Sequence, residues 1–280
     1  MKTSINRIAA RFDRLRKKNR GALITFLEAW DPDPATSMAL LRGMPIAGAD
    51  LIEIGCPFTD PMADGPTIQL AAKRALAAGG SMMNTLAMVR DFRREDNATP
   101  IILMGYLNPI LAYNPERFCT DAAAAGVDGL IVVDLPPEEA LLLAPYAAAR
   151  GLDIIRLIAP TTDEHRLPLA LLGSSGFVYY VSITGVTGTR TASAEELAGA
   201  IPLIRRHTDL PIAIGFGVRT PAQAAAAVRV ADAAVVASAV IDTLAASLDE
   251  RGRAGPDTVR RVLDQVRDLA EGVRTARLSA

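Results

Sequence analysis

A chain of 280 residues, 50% of them hydrophobic, can bury a large core and is long enough for one big α/β domain or two small ones. Thirty basic residues against 31 acidic leave a net charge of −1, which provides no basic footprint for nucleic acid or another polyanion. Two cysteines, Cys56 and Cys119, lie far apart without a C-x-x-C or paired spacing, the usage of a reducing compartment, so the cytoplasm is the expected location.

The N-terminal segment MKTSINRIAARFDRLRKKNRGA places Ile5, Ile8, Ala9, Phe12 and Leu15 at helical spacing, which predicts an amphipathic helix and not a signal peptide. Short runs rich in Ile, Val and Leu then recur: ALITFLEA (22–29), DLIEIG (50–55), PIILMGY (100–106), GLIVVDLP (129–136), LDIIRLIAP (152–160), GFVYYVSI (176–183), LPIAIGFG (210–217) and DAAVVASAV (232–240). These are eight candidate strands. Their continuous hydrophobicity predicts strands covered on both faces, as in a parallel sheet. Alanine-rich amphipathic segments such as ERFCTDAAAAGV and TPAQAAAAVRVA separate them, so strand alternates with helix. No apolar run approaches the ~18 residues of a membrane-spanning helix, so a soluble protein is expected.

Eight βα units without a linker or compositional break predict one (β/α)₈ TIM barrel domain over residues 1–280. The competing architecture, an open doubly wound sheet, lacks its Gly-x-Gly-x-x-Gly turn after the first strand. Residues 65–96 are too long for one helix and are interrupted by AAGGS, which predicts two helices after strand 2. A further helix is expected after strand 8. The segment 257–275 reads as the closing outer helix, with Val259, Val262, Leu263, Val266 and Leu269 as its buried stripe.

Barrels of this kind place chemistry at the C-terminal ends of their strands. There LIEIGCPFTDPMADGP (51–66) carries Glu53 into a strand end and Asp64 into a proline-stiffened loop. Alternation sets Leu51, Glu53 and Gly55 on one side and Ile52 and Ile54 on the other. A Glu53 facing the barrel mouth would sit in a partly apolar cup, which raises a carboxyl pKa and suits it to give and take a proton. The bland readings are a strand-end carboxylate paired with a basic neighbour for Glu53, and ordinary Asp-Gly turn chemistry for Asp64.

A second signal lies at strands 6 to 8. GVTG (185–188), GFG (215–217) and Ala237-Ser238 place small residues and a helix start at successive strand ends, as an anion site for a phosphate ester requires. The Gly/Thr-rich segment 183–197 suits a mobile lid, or a solvated loop capping the next helix through Ser193 and Glu196. His165 and His207 lack ligand-spaced partners, so no metal is expected. Cys56 reads as a packed thiol. No lysine falls in a predicted strand, which argues against Schiff-base chemistry.

GADLIEIGCPFTDPMADGPTIQ resembles the signature of the tryptophan synthase alpha chain family. The resemblance continues through MGYLNPI, DGLIVVDLPPEE, GFVYYVSITGVTG, IAIGFGVRTPAQ and ASA. It implies a lyase that cleaves indole-3-glycerol phosphate to indole and glyceraldehyde 3-phosphate by a retro-aldol step. By that resemblance Glu53 is the general acid/base, and Asp64 accepts the indole N–H. Tyr179 would support Asp64, and Thr187 would close onto it from the lid. Phe26, Met104, Tyr106, Ile131 and Phe216 would line the indole pocket. Phosphate would sit on the amides around Gly188, Gly217, Ala237 and Ser238. The resemblance also implies a PLP-dependent beta chain partner in an α₂β₂ assembly, faced by Asp60 and Pro61, with no cofactor in this chain.

The family pattern Thr-x-Gly-Asp-Pro after strand 1 is replaced here by FLEAWDPDP, with Glu28 and Trp30 at the threonine and glycine positions. Phe26 and Glu28 share a strand face, so Glu28 should point where Phe26 points. A third carboxylate there would raise the pKa of at least one neighbour. Two alternatives follow: a catalytically weak subunit that mainly activates the beta chain, or a barrel acting on another phosphorylated indole or sugar.

Overall fold

The computed structural model describes residues 6–181, 194–215 and 217–277. Helix α1 (Arg7–Lys17) is capped by the Asn6 side chain, which accepts a hydrogen bond from the Ala9 amide at 2.9 Å. Its buried stripe is Ile8, Arg11, Phe12 and Leu15; Ala9, expected on that stripe, is exposed, and Ile5 lies outside the described residues. After it come β1 (Ala22–Glu28), α2 (Pro34–Ala47) and β2 (Leu51–Gly55). Two helices follow as the AAGGS break predicts, α3 (Pro66–Ala77) and α4 (Met82–Phe92). Next are β3 (Ile101–Gly105), an unanticipated short helix α5 (Leu107–Tyr113), α6 (Pro115–Ala125) and β4 (Gly129–Val132).

The fifth predicted strand, 152–160, is two pieces. A 3₁₀ turn (Pro137–Leu142) and α7 (Ala144–Ala149) lead into β5 (Asp153–Ile154), and after Ile155 comes β6 (Arg156–Ile158). β5 pairs with β4 and β6 pairs with β7, so the chain changes neighbours at Ile155. The remainder runs α8 (Leu167–Ala170), β7 (Val178–Val181), α9 (Ala194–Arg205), β8 (Ile212–Gly215), α10 (Pro221–Val230), β9 (Ala233–Val236), α11 (Ser238–Ala245) and α12 (Thr258–Thr275).

All strand pairs are parallel, in the order β5-β4-β3-β2-β1-β9-β8-β7-β6. Because β5 and β6 are consecutive in the chain, the two ends of this order meet and the sheet forms a nearly closed (β/α)₈ barrel. Side-chain alternation divides the core in two. Ile24, Leu51, Ile102, Ile131, Ile155, Tyr179, Ala213 and Val235 point inward, and Ile8, Phe12 and Leu15 of α1 join them as a plug at the N-terminal end. The alternate residues, such as Leu23, Ile52, Leu103 and Ile214, point outward against the helices. α12 packs on α2, α10 and α11 through Val262, Val266, Leu269 and Val273. Val259 and Leu263, placed on this stripe from the sequence, are only partly buried at its flank.

Candidate active site

Strand β2 carries Glu53 into the barrel. Its strand neighbours are Phe26 and Ile102, both inward-facing, so the carboxyl enters an apolar interior. Glu53 is 0% exposed, and neither Oε1 nor Oε2 has a hydrogen-bond partner. Burial pushes its pKa up to about 8. The reading of Glu53 as half of an ion pair is therefore overturned: the group is unpaired and holds its proton at neutral pH. Tyr179, buried on β7, feels the Glu53 charge, and its pKa lies well above the ordinary value through burial first and that charge second. The Tyr179 ring lies over Gly215, where a Cβ would stand 2.2 Å from the phenol oxygen.

Asp64 hangs above the strand end in a tight turn. Its amide donates to the Pro61 carbonyl at 3.1 Å, and Gln69 Nε2 donates to the Asp64 carbonyl at 2.8 Å. The Asp64 carboxyl takes a hydrogen bond from the Tyr106 phenol, which itself accepts from the Ala63 amide at 3.0 Å. Phe58 packs on the Tyr106 ring with centroids 5.5 Å apart. Partial burial raises Asp64 to about 6, and the Tyr106 hydrogen bond limits the rise. The supporting tyrosine expected from the sequence was Tyr179. Here Tyr106, at the end of β3, holds Asp64, and Tyr179 lies within the field of Glu53.

Between Asp64, Tyr106 and Glu28 lies a small cleft, which Glu53 and Tyr179 do not line. Of the residues assigned to an aromatic pocket, Phe26, Met104 and Tyr106 line it, together with Asp64. Ile131 does not; it is 0% exposed in the interior packing below, and Val133, two residues further along the same face, reaches the cleft. Phe58, Ile68 and Val133 are lining residues that the sequence reading missed. The family resemblance assigns Ile131 to the pocket; a period of two puts Val133 on the same face, but periodicity gives the side and not the depth.

The phosphate signal falls partly within view. Gly217 follows β8 with φ +79°, in the left-handed region. Ala237 follows the adjacent strand β9 with φ −112°, so alanine occupies this position without the strain that a positive φ would bring, and Ser238 opens α11, which has no side-chain cap on its first amides. Thr187, Gly188, Phe216 and the rest of the segment 182–193 lie outside the described residues.

Glu28 and Trp30 show how this chain departs from Thr-x-Gly. Glu28 points inward with Phe26, and both pack on Gly55: a Cβ there would lie 2.1 Å from Glu28 Oε2 and 2.6 Å from the Phe26 ring. Glycine at position 55 is what makes room for the acid. Glu28 is 4% exposed, lines the same cleft as Asp64, and its Oε1 has no hydrogen-bond partner. Burial, then the charges of Asp64 and Asp31, hold its pKa well above the usual carboxylate range. Trp30 keeps the backbone of a glycine, φ +74°, with its amide donating to Ser37 Oγ at 3.0 Å and its ring lying over Gly79.

Cys56 is a buried thiol whose pKa is raised by burial and by Glu28, which suits packing and not nucleophilic attack. Among the described residues no group of three or more His, Cys, Asp and Glu side chains could hold a metal ion, and no helix is long and apolar enough to cross a membrane.

Residues 12–273 match the family model described as tryptophan synthase alpha chain. The chain is 69% identical to the tryptophan synthase alpha chain of Granulibacter bethesdensis over 99% of both chains. It is 70% identical to that of Gluconacetobacter diazotrophicus over 98% of this chain and 100% of the relative. Among solved structures, tryptophan synthase subunit alpha from Legionella pneumophila superposes with a TM-score of 0.88 at 34% identity, covering 96% of this chain and 99% of that one. A chain of Mycobacterium tuberculosis tryptophan synthase gives 0.85 at 36%, covering 96% and 98%.

Proposed function

The chain belongs to the tryptophan synthase alpha chain family, and from that premise we propose that Glu53 and Asp64 are the acid–base pair of its reaction. It is a lyase that cleaves indole-3-glycerol phosphate to indole and glyceraldehyde 3-phosphate in tryptophan biosynthesis. The observation that carries the assignment is the fully buried, unpartnered Glu53 enclosed beneath a cleft that bears Asp64 on its wall.

The two acids divide the work by pKa. Glu53, at about 8, is neutral near pH 7 and can protonate the ring carbon that bears the glycerol chain. That leaves positive charge on the ring nitrogen, whose N–H donates to Asp64, ionised above about 6. Glu53, now a carboxylate in an apolar cup, takes the proton of the adjacent glycerol hydroxyl. As the carbonyl forms, the C–C bond breaks and its electron pair returns to the ring, releasing indole. Phe26 and Met104 supply the apolar walls that a neutral bicyclic ring requires. Gly217 and the uncapped start of α11 at Ala237 and Ser238 hold the phosphate, with Gly188 contributing from the lid where Thr187 closes over the site. Tyr179 and Phe216 complete the binding groups.

The family partner is a beta chain. We place it against the exposed loop around Asp60 and Pro61, in an α₂β₂ assembly that carries PLP only in the beta chain. The whole chain acts as one barrel domain in the cytoplasm.

The test is indole release from indole-3-glycerol phosphate by the purified chain, alone and with a cognate beta chain, for wild type, Glu53→Gln and Asp64→Asn. Indole formed by wild type and lost in both variants is the expected result. No indole even within a demonstrated complex would reduce the chain to an activating subunit.

A further inference from the structure

Glu28 has no task in the reaction above, yet its place is a ligand's place. It lines the cleft together with Asp64, Phe26 and Tyr106, and it is 4% exposed. Its Oε2 rests on Gly55, while Oε1 is sealed from solvent without a partner. Among the described residues, the groups around it offer no free donor. Asp31 is engaged by Arg74 through two contacts of 2.7 Å, Asp64 by Tyr106, and Cys56 is a weak donor raised further by burial. A buried polar atom of this kind is costly when left unpaired, and a ligand that pairs it removes the cost.

We propose that Glu28 is a specificity-determining residue that contacts the bound ring, and that the pocket takes indoles bearing a hydroxyl or amino substituent on the ring in preference to those bearing an apolar group of the same size. The ring identity rests on the function proposed above; the role of Glu28 rests on the cleft itself. An unsubstituted or methylated ring leaves Glu28 Oε1 unsatisfied. A hydroxyl facing it accepts the carboxyl proton or donates to the free oxygen, and either arrangement completes the group. Sites whose polar groups await a substrate hydroxyl discriminate against analogues lacking it far more than apolar pockets discriminate by size. A threonine at this position, shorter by two atoms, would lie farther from the ring.

The experiment compares binding of indole, the four hydroxyindoles substituted at the benzene-ring carbons, and the matching methylindoles. Calorimetry measures them on the full-length wild type, Glu28→Gln and Glu28→Leu, so the result does not depend on turnover. Wild type should prefer hydroxyl over methyl by ~10-fold or more at one ring position. Glu28→Gln should retain most of that preference, and Glu28→Leu should abolish it. A ratio is insensitive to partial unfolding of a variant, so a folding defect in Glu28→Leu does not imitate the effect. Equal hydroxyl-to-methyl ratios in wild type and Glu28→Leu at all four positions would overturn the proposal. Failure of wild type to release indole from indole-3-glycerol phosphate would overturn the assigned reaction while leaving the Glu28 comparison intact.

Discussion

The two ends of this barrel bury carboxyl groups in opposite ways. At the N-terminal end, Asp128 precedes β4 and accepts from Arg7 at 2.8 Å, from Arg93 at 2.7 Å and from the Ile101 amide at 2.8 Å. Asp50 precedes β2 and binds Arg20 and the Leu23 amide, with Arg11 at 3.6 Å. Asp232 precedes β9 and binds Arg205 and the Ile212 amide. Each ties a strand start to its neighbour. At the C-terminal end, Glu53 and Glu28 are equally deep and leave oxygens with no partner. Burial is common to both sets of acids; partners are not, although Asp31 at the C-terminal end keeps Arg74. A carboxylate with two guanidinium groups is structural, and one kept neutral by an apolar wall retains a proton it can transfer.

That contrast is tested most severely by exchanging the consequences. Glu53→Gln should lower indole formation by ~10²- to 10⁴-fold while leaving thermal stability at pH 7 unharmed, because no native partner is lost. Asp128→Asn should do the reverse. It leaves Arg93 and Arg7 facing a neutral group, and breaking a buried pair of this kind costs about 3–5 kcal/mol in denaturant unfolding. Its kcat should stay within a few-fold of wild type wherever it is folded. A stability loss in Glu53→Gln as large as that in Asp128→Asn would dissolve the distinction between the two ends.

Much of this architecture was legible in the sequence, and what was hidden is physically specific. Local hydrophobicity marked all eight strand positions, because parallel strands buried on both faces need continuous apolar runs. It could not mark the break at Ile155, where the pairing partner changes, since both halves are equally apolar. Alternation set Glu53 on one face with Leu51 and Glu28 on one face with Phe26, faces that the barrel turns inward. It gave no access to the absence of partners, because pairing is decided across the barrel: Arg7 and Asp128 are 121 positions apart. The tyrosine holding Asp64 was likewise set by loop geometry, which brings Tyr106 from the neighbouring strand.

The pH dependence of stability should also separate Glu53 from a hydrogen-bonded turn acid, Asp96. Glu53 keeps its proton in the folded protein up to about 8, whereas an ordinary glutamate in the unfolded chain releases it near 4.5. Its contribution is therefore complete below pH 4.5 and is lost as pH rises through 8, on the order of a few kcal/mol. Asp96, in the turn before β3, has the opposite sign. Burial would raise it, but the Thr99 hydroxyl and the Thr99 and Ala98 amides hold it below its ordinary value, so its contribution fades as pH falls. Unfolding free energies of wild type and Glu53→Gln should diverge steadily from pH 5 to 8 in favour of the variant. Parallel curves would mean that Glu53 is better solvated than its position implies.

The smallest effect concerns backbone and not charge, and it follows the same division. At the N-terminal end the left-handed position after α6 is filled by Gly126, φ +95°, which ends the helix without a Cβ in the way. At the C-terminal end the corresponding demand, φ +74° after β1, is met by Trp30. A side chain in that region costs of order 1 kcal/mol relative to glycine, offset here by the ring packed over Gly79. Trp30→Ala loses the packing and keeps the strain; Trp30→Gly loses the packing and relieves it. The glycine variant should therefore be more stable than the alanine variant by about 1 kcal/mol, an order opposite to that in a helix interior. If alanine proves the more stable, the turn after β1 does not hold its backbone in the left-handed region, and the strain at this end of the barrel is absent.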